Sequence, residues 1–461
     1  MKILMSVLIL TSLFLFTSCA TTGPKYELHK FEEVKLPNGM NIIFIPDNKL
    51  PSVSMVMMVK TGSASDPKGR AGLANLVAGL LDKGTTEKSA LEIADSLGQV
   101  GAEIGSSARS DFTLISGSSL STHSSVLYNN LADIVMTPAF RAKEFRRYKA
   151  QVLSGIQKSS EDPSGFAGRA FSKYLYGSHP YAHPSMGTEK GVSKIKRKDV
   201  IRFYKKYYRP NNTLLAVVGD YTPKDVESIK KKFSSWTSRS VEPLKYNAPP
   251  QIEGRNLALV YKPGLAQSQI VMGHLGIRRK DPDYVTLKVA NSILGLGFSS
   301  RLVSEIRSKR GLTYSIHSYF IPRWDRGPFT ISTFSRNEKV GETVKQSLRV
   351  FEDFYKSGVT KEEVEDAKAY LKGMFPRILE TPESTAENLL ILRYYDVPDT
   401  YLTTFLDKID KISVSDVNKA IKDHFDPMNM KVLVYSQKSV NNQLQGIGDL
   451  QVINYQSEQI Q

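Results

Sequence analysis

The alternation of apolar and polar positions divides this chain into two stretches with the same succession of elements. Period-two alternation over 31–45, interrupted by Pro37-Asn38-Gly39, predicts two strands joined by a hairpin, since Asn-Gly accepts the positive φ angles of a type I′ turn. Residues 52–60 read as another strand. In the stretch 69–85, Leu73, Leu76, Val77, Leu80 and Leu81 recur at the spacing of one buried helical stripe. Asn75 and Gly79 are one turn apart on a common face with Ala78 beside them, where a helix would aim three side chains at one point. A glycine inside a helix costs about 1 kcal/mol relative to alanine, so Gly79 predicts either close packing or a position whose side chain is no longer needed.

A second helix opens at the capping box Ser89-Ala90-Leu91-Glu92. Strands near 102–108 and 111–119, helices near 124–135 and 143–159, a helix near 198–207 and a strand over 213–219 complete the first stretch. Residues 234–255 lack periodicity, contain Pro243, Pro249 and Pro250, and read as a linker. Beyond it the order returns: strands at 256–261 and 267–275, helices at 284–294 and 301–308, strands at 314–320 and 329–335, helices at 340–355 and 361–378. Strand, helix, helix, strand, strand, helix, helix therefore occurs twice, the mark of an internal duplication into two α+β domains.

At 461 residues the chain exceeds one ordinary core, and 41% hydrophobic with 23% charged residues excludes wholesale disorder. A formal net charge of +16 suits acidic peptides, anionic lipid or nucleic acid, yet Lys and Arg are dispersed among acids and no nucleic-acid motif is present. Lys2, the apolar run from Ile3 to Phe16, and Thr17-Ser18-Cys19 form a secretory signal too short to span a bilayer comfortably. Cys19, the sole cysteine, sits where a bacterial lipobox places its lipidated residue, with Phe16 where leucine is commoner. That pattern predicts a signal at 1–18, a tether at 19–30, domains at 31–233 and 256–440, a tail at 441–461 and no internal disulfide. An ordinary signal peptide with a stray cysteine is the bland alternative.

Gly72-Leu73-Ala74, Lys83-Gly84-Thr85, Tyr208-Arg209-Pro210-Asn211-Asn212, Gly295-Leu296-Gly297-Phe298-Ser299-Ser300-Arg301 and, most specifically, Arg307-Ser308-Lys309-Arg310-Gly311-Leu312-Thr313-Tyr314 resemble the insulinase and pitrilysin family of zinc peptidases, the inverzincins, in its mitochondrial-processing-peptidase-like bacterial branch. The resemblance spans about 33–435 and implies two homologous LuxS/MPP-like metallohydrolase domains, antiparallel-rich sheets with packed helices, forming a clam-shell. The family's H-x-x-E-H motif binds zinc through two His one turn apart and activates water with the Glu between them. Those positions fall on Asn75, Ala78 and Gly79, and the third ligand, a Glu, on Gly155 beside Ser154. All four groups are missing, so the resemblance implies a retained fold with a vacant hydrolytic centre, no catalytic residue and no metal on this chain. Among the seven histidines only His179 and His183 are four apart, and Pro180 and Pro184 argue against a helix that would join them.

In active relatives an Arg and a Tyr spaced as Arg307 and Tyr314 reach peptide across the cavity, so the resemblance makes these the substrate-binding residues. It further implies a non-catalytic subunit that pairs with a zinc-bearing peptidase of the same family, or with itself, lipid-anchored in the bacterial envelope and facing the periplasm from the outer membrane. Zinc would then reside only on the partner. Peptide would add as a strand along 104–108, where Gly105-Ser106 replaces the usual Asn-Ala. A peptide-binding or scaffold protein without a protease partner, and an active zinc metalloendopeptidase using unforeseen ligands, are the competing readings.

Overall fold

The computed structural model describes residues 30–457 and Ile460. The expected signal peptide, Cys19, His29 and all of the tether but Lys30 lie outside the described residues. Two six-stranded sheets organise the rest, one in each half of the chain. The first uses β1 (Glu32–Lys35), β2 (Asn41–Pro46), β3 (Ser52–Val59), β4 (Glu103–Ala108), β5 (Thr113–Leu120) and β6 (Thr213–Gly219), in the order β1-β2-β6-β3-β5-β4. The second uses β7 (Arg255–Tyr261), β8 (Gln267–Leu275), β9 (Ile316–Phe320), β10 (Pro328–Arg336), β11 (Met430–Ser436) and β12 (Asp449–Asn454), in the order β12-β7-β11-β8-β10-β9.

Register shows the duplication residue by residue. Met57 faces Ile115 and Leu215 across its two ladders, as Met272 faces Ile331 and Val432. On the outer strands Ser106 pairs with Ile115 and Ser318 with Ile331. Only the far edge differs: β1 precedes the first sheet in sequence and runs antiparallel to β2, whereas β12 comes from the chain's end and runs parallel to β7. Residues expected as a tail thus supply an integral strand. Its apolar alternation is weak because it is half solvated, which hid it from the periodicity.

Alternate residues of β2, β3, β6, β7, β8 and β11 enter different cores. Ile42, Phe44, Met55 and Met57 pack on helices of their own half, including Ser124–Met136 and Arg197–Tyr207. Ile43, Ile45, Val56 and Met58 instead meet Ala386, Leu389 and Leu390 of the Pro382–Tyr394 helix, which belongs to the second half. Reciprocally, Phe166, Phe171, Leu175 and Tyr176 of the Pro163–Tyr176 helix cover Ala258, Val260, Val271 and Leu433 of the second sheet. Each sheet is sealed by a helix from the opposite half, and the four large side chains that Pro163–Tyr176 buries this way contribute roughly 8 kcal/mol gross. β6, buried at all seven positions, needs this second cover.

Just beyond the C-terminal ends of the exchanged helices, Asp111 gathers groups from four other segments. Its carboxylate accepts hydrogen bonds from the Tyr181, Tyr246 and Tyr395 hydroxyls at 2.6, 3.1 and 2.9 Å and from the Trp324 backbone N–H at 3.0 Å. The Arg323 guanidinium lies 4.5 Å from the Tyr181 ring centre. Tyr246 comes from the 235–254 connection, which carries neither helix nor strand and is thereby tied to both halves.

The hairpin at Pro37-Asn38-Gly39 differs in detail from expectation. Among these residues only Gly39 has positive φ, 87°, and Leu36 N–H bonds to Met40 O, so the loop is a three-residue turn rather than a two-residue type I′ turn. The Asn38 side chain is engaged elsewhere, donating to Phe233 O and Trp236 O at 2.7 and 3.0 Å. Pro376 explains another departure: the helix expected over 361–378 gives way after Met374 to a 3₁₀ turn, Phe375–Leu379.

Candidate functional site

The stretch around Asn75 folds as a short helix, Leu73–Ala78, and not as the long one its stripe suggests. Asp66 starts it, its two carboxylate oxygens accepting the Gly72 and Ala74 N–H groups at 2.7 and 2.8 Å. Removal from water pushes the Asp66 pKa up to about 7 against the pull of those bonds. At the other end the Ser106 hydroxyl of β4 donates to Ala78 O at 2.7 Å, and Leu80 and Leu81 turn back onto Val77 and Ala78 with i to i+3 bonds. An external donor on that carbonyl ends the α-helix at Gly79 while leaving the apolar stripe buried.

Gly79 has helix-like torsions (φ −75°, ψ 0°) that any residue adopts, so the reason for glycine is space. A Cβ there would lie 1.9 Å from the Tyr148 hydroxyl oxygen and 2.2 Å from its ring carbon Cζ. Tyr148, on the Ala142–Ser159 helix, occupies the room a ligand at position 79 would need, and burial together with nearby Asp82 raises its pKa. Gly155 is two helical turns from Tyr148 along the same face, and an added Cβ there would touch nothing within 4 Å. Ala78 is fully buried, and the Asn75 amide makes no hydrogen bond among the described residues. Zinc does not fit this donor set: one neutral amide, two residues without donors, and a phenol ring in the space of the second ligand.

The expected peptide edge, β4, is the outermost strand of its sheet and, among the described residues, pairs only with β5. Beside it opens a recess of about 700 Å³ with Leu91, Ile93, Leu97 and Ile104 among its walls and Lys143 and Arg147 at its margin. Ser106 turns toward the Ala78 carbonyl, so the Gly105-Ser106 pair ties strand to helix.

In the second half, Arg307 lies on a π-helical segment, Val303–Lys309, and Tyr314 just before β9. The guanidinium sits 4.8 Å from the Tyr314 ring centre. Tyr314 is 75% exposed, outside any strand. Neither residue makes an ion pair or side-chain hydrogen bond among the described residues. No such contact links them to the Asn75–Gly79 turn. His179 and His183 flank the Pro180–Ala182 turn, His179 accepting the Tyr181 N–H at 3.1 Å; burial lowers the pKa of both.

One three-donor group escaped the sequence reading: His424 Nε2 lies 2.8 Å from Asp283 Oδ2 and 4.0 Å from Asp281 Oδ1. His424 is more than a hundred positions from the two aspartates, and the packing of the Val414–His424 helix on Tyr284–Asn291 brings them together.

Residues 42–189 match the sequence model of "Insulinase (Peptidase family M16)" and residues 194–371 that of "Peptidase M16 inactive domain". A crystal structure of a peptidase M16 inactive domain from Pseudomonas fluorescens superposes with TM-score 0.82 at 30% identity, covering 88% of this chain and 98% of that one. A protease structure from Helicobacter pylori gives TM-score 0.83 at 23% identity, covering 89% and 100%. In sequence, an uncharacterized zinc protease, YmxG, of Bacillus subtilis is 25% identical over 75% of this chain and 84% of its own length. A Helicobacter pylori protein named as a non-peptidase homolog is 23% identical over 89% and 94%. With the fold, both family matches and a close structural relative in agreement, this chain belongs to the insulinase family, peptidase family M16, as a peptidase homologue.

Proposed function

We propose that this chain is the non-catalytic subunit of an envelope peptidase: anchored through lipid on Cys19, paired with a zinc-bearing member of its own family, and presenting Arg307 and Tyr314 to peptide. The observation that carries this reading is the contrast between the two halves. At Gly79, where the family's second His is expected, Tyr148 fills the space of a side chain, whereas Tyr314 is exposed and the half-buried Arg307 makes no ion pair or side-chain hydrogen bond among the described residues. A guanidinium and a phenol hydroxyl left free are donors suited to peptide carbonyls. The exchanged helices hold the two halves of one chain together, so a chamber that opens and closes is best formed between this chain and another.

Affinity capture of the full chain from detergent-solubilised native envelope, with mass spectrometry of co-purifying proteins, tests the pairing. A family member with an intact H-x-x-E-H is expected. In the reconstituted pair, Arg307→Ala or Tyr314→Phe should lower peptide cleavage roughly tenfold or more with assembly unchanged, and the chain alone should carry less than one zinc and cleave nothing. Chelator-sensitive turnover by the lone chain, or normal cleavage by both variants, would overturn the reading.

A further inference from the structure

The two most exposed large apolar residues among the described residues, Phe298 at 84% and Tyr314 at 75%, both border the same cation. The Arg307 guanidinium lies 5.4 Å from the Phe298 ring centre and 4.8 Å from that of Tyr314. The backbone holds this group firmly. Gly295 presses against β9 so closely that a Cβ would come within 2.6 Å of Ser318 Oγ and 2.9 Å of Ser318 N. Asn291 and Ser318 clamp the same place with reciprocal bonds, Asn291 Nδ2 to Ser318 O at 2.9 Å and Ser318 Oγ to Asn291 Oδ1 at 2.8 Å. Phe298 projects from the turn that follows, between two π-helical segments, Ser292–Leu296 and Val303–Lys309. Such segments are rare and recur at functional sites. The nearest acid in sequence, Glu305, is taken by Lys309 at 3.2 Å and Arg310 at 2.9 Å, which leaves Arg307 without a carboxylate.

We infer that Phe298, Arg307 and Tyr314 form one clamp that selects an extended peptide bearing a large apolar side chain next to a carboxylate, with Phe298 as the residue that sets the apolar preference. The inference rests on the peptide-binding reading above. Two exposed rings offer an apolar side chain the surface it would lose to water, and they flank the guanidinium, whose N–H groups bond nothing among the described residues. Those groups match a planar carboxylate with two parallel hydrogen bonds. The overall charge of +16 favours an acidic ligand in the same sense.

Fluorescence anisotropy on the full chain tests this with short unstructured peptides differing at one pair: Phe-Glu, Phe-Gln, Ser-Glu, and a C-terminal Phe with a free or amidated carboxyl. Phe298→Ala should weaken the Phe-Glu probe about tenfold and leave Ser-Glu unchanged, Phe298→Leu should recover part of the loss, and Arg307→Ala should abolish the advantage of Glu over Gln. The free and amidated termini show whether a side-chain or a terminal carboxylate is read. If Phe298→Ala weakens every probe alike, or none, while Arg307→Ala still weakens binding, this inference falls and the peptide-binding reading stands. If the unmodified chain binds no probe, both fall. A homodimer that dissociates on Phe298→Ala would make the patch an interface between copies and overturn the clamp.

Discussion

Gly79→Ala separates local propensity from tertiary packing because the two predict opposite signs. Alanine is favoured over glycine in a helix by up to about 1 kcal/mol, and the torsions at position 79 suit it. The new methyl group, however, would lie 1.9 Å from the Tyr148 oxygen and 2.2 Å from Cζ. Forcing an extra carbon into a packed site costs about 1–3 kcal/mol, so the net change expected is a loss of roughly 1–2 kcal/mol. Urea unfolding at neutral pH, followed by tryptophan fluorescence and circular dichroism, measures it. Tyr148→Ala frees the space at its own cost, and adding Gly79→Ala to that background should then be neutral or stabilising. The double-mutant cycle should show coupling of about 1–2 kcal/mol. A stabilising Gly79→Ala in the unmodified background, or additivity within about 0.5 kcal/mol, would refute the claim that Tyr148 fills the ligand's place. The same geometry implies that restoring the motif as Asn75→His, Ala78→Glu, Gly79→His and Gly155→Glu recruits zinc only if Tyr148 is truncated as well.

Asp66 makes the first half pH-sensitive. Its folded pKa of about 7 stands above the ordinary 3.8, so the folded state holds the extra proton between those values, and stability falls as pH rises from about 4 to 7 and is flat beyond. Between pH 5 and 7.5 the chain should lose roughly 2 kcal/mol relative to Asp66→Asn, which does not titrate; a pH-independent difference in urea midpoints would reject this. His274 acts in the opposite sense. Burial lowers its pKa to about 4, so its contribution is complete above about 6.5 and is lost as pH falls toward 4, and His274→Phe should flatten that acid limb of the stability profile. Asp111→Ala leaves three tyrosine hydroxyls and the Trp324 N–H without an acceptor, and should cost about 3–5 kcal/mol and speed protease cleavage within 235–254. Unchanged midpoint and cleavage rate would show that the hub does not hold the halves.

Much of this protein was readable from its residues alone. Alternation in 52–60 and 267–275 marked strands, and the recurrence of the same succession of elements marked the duplication that the paired registers of Met57 and Met272 display. Identity alone settled that Ala78 and Gly79 offer no donor, because chemistry absent from a side chain cannot be restored by folding. Neighbours were what the sequence could not supply. Periodicity reports that a face is apolar, not which element covers it, so the exchanged helices Pro163–Tyr176 and Pro382–Tyr394 went unread. One hint was available: Leu214 to Val218 is apolar on both faces, and a strand of that kind demands two covers. Tyr148 in the place of a ligand, Ser106 ending a helix at Ala78, and Asp111 binding four other segments all join residues dozens to hundreds of positions apart. Such contacts have no period, and only the closing of two sheets around shared helices brings them together.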